Sequence, residues 1–145
     1  MSLKLKLQEA MKEALKNKQK ERLSVLRLAL ASIKSKEIDK RALLTDEEII
    51  DVLAKEVKKR EDSILEFQKA SRTDLLEKEK FEIQVLLEFL PKQLTKEEVE
   101  AILKEAITTL KATSKDFGKV MEYVLPKVRG RVNTKDLSQL LRKML

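Results

Sequence analysis

The sequence predicts an all-α fold: an N-terminal four-helix unit of long amphipathic helices followed by a small three-helix C-terminal domain. Three observations carry this prediction. Apolar residues recur at helical spacing along nearly the whole 145-residue chain. Charged residues make up 39% and aromatic residues 3%, a balance typical of Ala/Leu/Glu/Lys-rich helical proteins. Two Thr-x-x-Glu runs, Thr45 to Glu48 and Thr95 to Glu98, stand before apolar periodicities as capping boxes, whose side chains satisfy the orphan N–H groups of a helix start. With 42% hydrophobic residues the chain is not a disordered one.

The elements follow in order. Leu3, Leu7, Ala10, Met11, Ala14 and Leu15 share one face of a first helix. Leu23, Leu26, Leu30 and Ile33 repeat the pattern in a second, from Gln19 to about Lys40. Behind the Thr45 cap, Ile49, Leu53, Val57, Ile64 and Phe67 form the stripe of a third. The pattern breaks around residues 71–74, and a fourth helix carries Leu76, Ile83, Leu87 and Leu90 until Pro91 stops it, because the residue before proline disfavours helix. After Thr95 come Val99, Ile102, Leu103, Ala106, Ile107 and Leu110. Ser114 is the expected cap of a short helix with Phe117, Val120, Met121, Val124 and Leu125, ended by Pro126. Asn133 or Thr134 caps a last helix with Leu137, Leu140, Leu141 and Met144. The Lys-Leu alternation near the start is explained better by a helix face than by a strand.

Pro91-Lys92-Gln93-Leu94 is the expected boundary, dividing a domain of residues 1–92 from one of residues 93–145. Charge shifts there: residues 1–90 carry 20 basic and 18 acidic side chains, residues 91–145 carry 12 and 7. The second part thus holds +5 of the net +7. The absence of Cys excludes disulfides, thiolate nucleophiles and Cys-zinc sites, and the absence of His removes the commonest general base and metal ligand. Two glycines, at positions 118 and 130, do not build a Gly-rich phosphate loop. The residues therefore assign no catalytic group, no cofactor and no metal. The start lacks the apolar run of a signal peptide and no stretch is apolar enough to span a membrane, which leads to the expectation of a cytoplasmic protein without membrane contact.

Function points to the C-terminal tail. Residues 111–145 hold nine basic and three acidic side chains. Lys127, Arg129 and Arg131 alternate beside Gly130 in an expected extended or turning segment, which places cations on one side where glycine lets a phosphate approach the backbone. Lys119 joins them if the segments fold together, and Lys135 completes the set. Spaced cations of this kind suit a grip on a phosphate backbone. They equally suit an ordinary solvated basic surface. Lys16, Lys18, Lys20, Arg22 and Arg27 make a second run, amid interleaved acids. Lys58, Lys59 and Arg60 stand beside Glu56, Glu61 and Asp62, which reads as ion pairing at helical spacing. Arg27 and Arg60 fall on apolar faces, so a carboxylate partner is expected, with Asp74 or Glu79 as candidates for the pairing. Tyr123 and Phe117 carry rings able to stack a base, although the apolar neighbours of Phe117 favour a core position.

The chain resembles the YqeY-like proteins, stand-alone relatives of the tail domain of the GatB subunit of glutamine-dependent tRNA amidotransferase. The matching segments are Glu21-Arg22-Leu23-Ser24-Val25-Leu26-Arg27-Leu28, Lys58-Lys59-Arg60-Glu61-Asp62-Ser63-Ile64 with Phe67 and Ala70, and Arg72-Thr73-Asp74-Leu75. They continue with Leu90-Pro91-Lys92-Gln93-Leu94, Gly118-Lys119-Val120-Met121 and Pro126-Lys127-Val128-Arg129-Gly130-Arg131. Val132-Asn133-Thr134 departs from the Asp-Gly-like turn usual after the basic loop. The resemblance implies two all-helical domains, the second corresponding to the amidotransferase tail that meets tRNA away from the catalytic centres. It carries over Lys119, Lys127, Arg129 and Arg131 as nucleic-acid contacts.

The leading expectation is a non-catalytic accessory protein that binds tRNA or another structured RNA. The alternatives are a module docking through an apolar helix face on a partner in tRNA aminoacylation or amidation, and a contributor to glutamine-dependent carbon–nitrogen ligase activity. The last needs converging polar side chains in a pocket.

Overall fold

The structure, a computed structural model, describes residues 2–145. Among them are seven helices and no strand: α1 (Leu3–Lys16), α2 (Lys20–Lys40), α3 (Asp46–Lys69), α4 (Thr73–Leu87), α5 (Lys96–Leu110), α6 (Phe117–Val128) and α7 (Thr134–Met144). The chain divides into two compact units, Met1–Leu90 and Pro91–Leu145, so the division falls two residues earlier than expected from sequence.

Both capping boxes form. Thr45 accepts from the Glu48 N–H at 3.2 Å while Glu48 accepts from the Thr45 N–H at 3.1 Å. Thr95 and Glu98 do the same at the start of α5, at 3.1 and 3.0 Å. Ser2 caps α1, and Asn133 caps α7 by accepting from the Lys135 and Asp136 N–H groups at 2.9 and 3.3 Å. Asn133, where the sequence departs from the family turn, is therefore a helix cap.

Four helices end in the same way. Lys18, Arg41, Ser71 and Lys111 take positive φ between 50° and 59°. At each, the residue's N–H bonds the carbonyl three back, and the next N–H bonds the carbonyl five before it, as in Ala42 to Glu37 and Ala112 to Ile107. This is the Schellman closure, normally given to glycine because it requires the left-handed region.

The first unit buries Leu7, Ala14, Leu23, Val25, Leu26, Ala29, Ile33, Ile49, Val52, Leu53, Val57, Val85 and Leu86 together. Helix α2 packs against α1, α3 and α4. That explains why Val25 and Ala29 are buried although they lie outside its expected stripe. Arg27 lies about 40° beyond Leu23 on the helical wheel, past the edge of the buried arc, and is exposed rather than partly buried as its neighbours implied.

Arg60 is buried, 8% exposed, on the stripe of α3. It pairs at helical spacing with Glu56, as expected, but its partner from α4 is Glu82 and not Asp74 or Glu79. The guanidinium donates through Nη1 to the Glu56 carboxylate and carbonyl, both at 2.9 Å, and through Nε to Glu82 of α4 at 2.9 Å. Asp74 instead meets Arg72 on the surface at 3.5 Å. Burial, with the Glu82 charge behind it, pushes the Glu79 carboxyl above the usual range. For Glu56, burial alone would raise the carboxyl, but the Arg60 hydrogen bond and the charges of Lys59 and Arg60 outweigh it and hold it low.

The second unit has its own core of Val99, Leu103, Ala106, Val120, Val124, Val128, Leu137 and Leu141. Pro126 lies inside α6 and does not end it. The proline removes one N–H in the last turn, and continuing the helix brings Val128 into the core at 1% exposure. Fully burying such a side chain is worth about 1.5–3 kcal/mol, which offsets the lost bond. Nor does Ser114 cap α6. The Asp116 carboxylate accepts from the Thr113 N–H at 2.8 Å and its hydroxyl at 3.3 Å, closing the turn before the helix. Helix α4 stops at Leu87, and three-residue turns carry the chain through Leu90 to Pro91.

Candidate nucleic-acid interface

The expected cations all belong to the second unit, on or beside α6 and α7. Lys119 lies in the first turn of α6 and is exposed. Lys127 lies in its last turn, not in an extended segment. Arg129 follows as the helix end, with the buried Val128 between them. Gly130 turns the chain at φ 71°, Arg131 is half-buried, and Lys135 is exposed in the first turn of α7. Lys119, Tyr123 and Lys127 are spaced four apart and form one stripe of α6.

These cations do not act alike. The Lys127 ammonium sits 4.0 Å from the centre of the Tyr123 ring and 3.8 Å from Glu105 of α5. A hydrogen bond with the Tyr123 side chain, supported by the charge of Glu105, pushes its pKa above the ordinary lysine value despite some desolvation. It stays fully charged at neutral pH. Tyr123, considered from sequence as a base-stacking ring, is occupied on one face by this lysine.

Arg131 is tied into the fold. Its Nε donates to the Lys92 carbonyl at 2.9 Å, and its own carbonyl accepts the Leu94 N–H at 2.9 Å. Gly130 is tied as well, since its carbonyl accepts from the Gln93 side chain at 2.7 Å. Glu98, held low first by the Thr95 hydrogen bonds, also feels the positive charges of Lys92 and Arg131. The alternation of Lys127, Arg129 and Arg131 therefore does not put three equivalent cations on one side.

Two residues were missed from sequence. Arg142, in the last turn of α7, lays its guanidinium 4.8 Å from the centre of the Phe117 ring and so brings a cation beside the start of α6. Gln93 meets Gly130 across 37 positions of sequence, and no local pattern signals such a contact. Phe117 itself packs against the core, as its neighbours predicted.

A shallow open groove on the same unit is lined by Glu97, Glu100, Ala101, Lys104, Leu140 and Met144. It gathers two carboxylates and one lysine beside the apolar Ala101, Leu140 and Met144. Among the described residues no group of three or more carboxylates is placed to hold a metal ion, and no helix is long and apolar enough to cross a membrane.

Comparison with known proteins places the chain. A protein of Kluyveromyces lactis, "Altered inheritance of mitochondria protein 41, mitochondrial", is 38% identical over 130 residues, covering 83% of this chain and 70% of its own. The protein of the same name from Pyrenophora tritici-repentis is 30% identical over 128 residues, covering 87% and 71%. An uncharacterized protein of Schizosaccharomyces pombe is 39% identical over 79 residues, covering 54% and 64%. This chain thus spans roughly two-thirds of the length of these relatives. The mitochondrial names overturn the expectation of a cytoplasmic location. That expectation rested on the lack of a secretory leader and of a membrane span, and neither lack distinguishes one aqueous compartment from another. A family model described as Yqey-like protein matches residues 4–145, and the chain belongs to that family.

Proposed function

We propose that this protein is a non-catalytic accessory factor that binds structured RNA, tRNA in the first place, through the α6–α7 face of its second unit. The observation that carries the reading is the placement of exposed Lys119, Lys127, Arg129 and Lys135 on that pair of helices and the loop between them, in the part of the chain that holds +5 of the net +7. Cations spread along two helices and the loop between them match a run of phosphates, and they supply no base readout. The resemblance to the amidotransferase tail implies the same partner.

The test is a titration of labelled tRNA, with a DNA duplex of similar length as control, at low and near-physiological salt. Two triple variants lower the net charge equally: Lys119→Gln/Lys127→Gln/Lys135→Gln and Lys16→Gln/Lys18→Gln/Lys20→Gln. The expected result is tRNA-preferring binding that the first variant weakens and the second leaves near wild type. Each lysine–phosphate interaction that the first variant removes flattens the dependence of log K on log salt by about 0.7–0.9. Equal weakening by both triples, or equal binding of tRNA and duplex, overturns the reading in favour of a generic polyelectrolyte effect.

A second reading has one observation behind it. Ile38 and Leu43, 66% and 74% exposed, flank the α2–α3 turn of the first unit. We propose this turn as a docking point for a protein partner in tRNA aminoacylation or amidation. A partner retained by the wild-type chain at native salt and lost with Ile38→Asp/Leu43→Asp supports it, while a partner retained by both chains removes the turn from consideration.

A further inference from the structure

Residues 91–94, which open the second unit, are fastened to residues 128–131 by hydrogen bonds from side chains and backbone, beside the packing of Leu94 on the core. The Gln93 amide donates to the Gly130 carbonyl at 2.7 Å and to the Pro91 carbonyl at 3.0 Å. Arg131 Nε donates to the Lys92 carbonyl at 2.9 Å. The Leu94 N–H donates to the Arg131 carbonyl, and the Arg131 N–H to the Val128 carbonyl, both at 2.9 Å. These bonds converge on the loop that carries Arg129 and Gly130 and joins Lys127 to Lys135. The bond from Nε holds the Arg131 guanidinium at the Lys92 carbonyl, near enough to Glu98 for its charge to be felt there.

We propose that Gln93 and Arg131 are positioning residues for the phosphate grip. Together they clasp residues 91–94 to the loop at 128–131 and thereby fix where Lys127, Arg129 and Lys135 stand, and Arg131 itself takes no phosphate. The proposal rests on the RNA-binding reading given above. The physical gain is preorganisation: a basic loop that is already fixed loses less conformational freedom when it meets its ligand. Gln93 separates this effect from charge, because it is neutral and adds nothing to polyelectrolyte attraction.

The experiment measures tRNA affinity against salt for the wild-type chain, Gln93→Ala and Arg131→Gln, at a temperature where circular dichroism shows all three fully folded. Hydrogen exchange of the Leu94 amide is followed in parallel. The clasp predicts that both variants bind about 3- to 10-fold more weakly, the scale of one or two side chains or loop residues newly ordered on binding. The slope of log K against log salt stays at the wild-type value in both, and Leu94 exchanges faster in both. A slope flattened by about 0.7–0.9 in Arg131→Gln makes Arg131 a phosphate ligand and overturns the proposal. Wild-type affinity in Gln93→Ala, with tRNA binding intact in the parent chain, overturns the positioning role alone. Failure of the wild-type chain to bind tRNA overturns the RNA reading and the positioning role together, so the two failures are distinguishable.

Discussion

Arg60 joins two carboxylates from different helices, Glu56 of α3 and Glu82 of α4, and all three side chains are mostly shielded, at 9%, 15% and 14% exposure. Ser32 of α2 adds a hydrogen bond to Glu56 at 3.2 Å. Three helices of the first unit thus meet at one charged cluster. Removing the cation leaves Glu82 without its partner and Glu56 with only the exposed Lys59 ammonium at 3.7 Å, a change that costs up to about 3–5 kcal/mol in buried pairs. Arg60→Met is therefore expected to lower the stability of the first unit by about that much in chemical denaturation. Arg60→Met/Glu56→Gln/Glu82→Gln, which removes the stranded charges as well, is expected to recover a large part of the loss. Equal stability of Arg60→Met and wild type would show that the cluster contributes nothing net. The position of Arg60 on an apolar stripe was legible in the sequence. Glu56 was legible too, one helical turn before it, although Asp74 and Glu79 were the expected partners. Glu82 was not legible, because its distance from Arg60 is set by the register in which α4 packs on α3.

The helices are bounded mostly by local chemistry, and so their starts were the easiest features to foresee. A capping box is closed within four residues, and Thr45 and Thr95 needed no tertiary contact to act. The helix ends were harder, because Lys18, Arg41, Ser71 and Lys111 take a left-handed conformation that their side chains disfavour and that glycine adopts freely. The left-handed region costs a non-glycine residue roughly 1–2 kcal/mol, part of which glycine gives back through its larger unfolded-state entropy. Lys111→Gly is consequently expected to stabilise the second unit by about 0.5–1 kcal/mol, read as a higher denaturation midpoint with unchanged cooperativity. A lower midpoint would mean that the Lys111 side chain makes a contact worth more than the backbone strain. Pro126 shows the opposite override: a local breaker is accepted because continuing α6 seats Val128 in the core.

Across the whole molecule, low-pKa carboxylates occur in both units, and apart from Glu56 beside Arg60 in mid-α3 each is tied to a helix terminus or a turn. Lys40 and the Thr45 N–H hold Glu48 at about 2, well below the usual glutamate value. Hydrogen bonds from Lys4 and the Leu44 N–H lower Glu37, and those from Thr113 lower Asp116. For each of these acids the folded-state pKa lies below the unfolded one, so the contribution to stability is complete at pH values above the unfolded pKa and disappears as pH falls. For Glu48 the window runs from the ordinary glutamate value of 4.5 down to about 2. The melting temperature of the wild-type chain is expected to drop steeply between those limits. Glu48→Gln keeps an acceptor for the capping box but has no proton to gain, so its melting temperature should fall less over the same window. Parallel curves for the two chains would assign the acid sensitivity to other groups.

The sequence by itself determined the all-helical class, the run of helices with the caps Thr45, Thr95 and Asn133, the membership of the YqeY-like family and the concentration of positive charge after residue 90. These depend on local spacing, local hydrogen bonds and simple sums of charge, which no neighbour in space alters. Tertiary structure decided which of the basic residues are available. Lys119 and Lys135 stand exposed, Lys127 is shared with Tyr123 and Glu105, and Arg131 and Gly130 are drawn into bonds with Lys92 and Gln93. A cation's charge is written in the chain, but whether it faces a ligand or a carbonyl depends on which distant backbone the fold returns to its side.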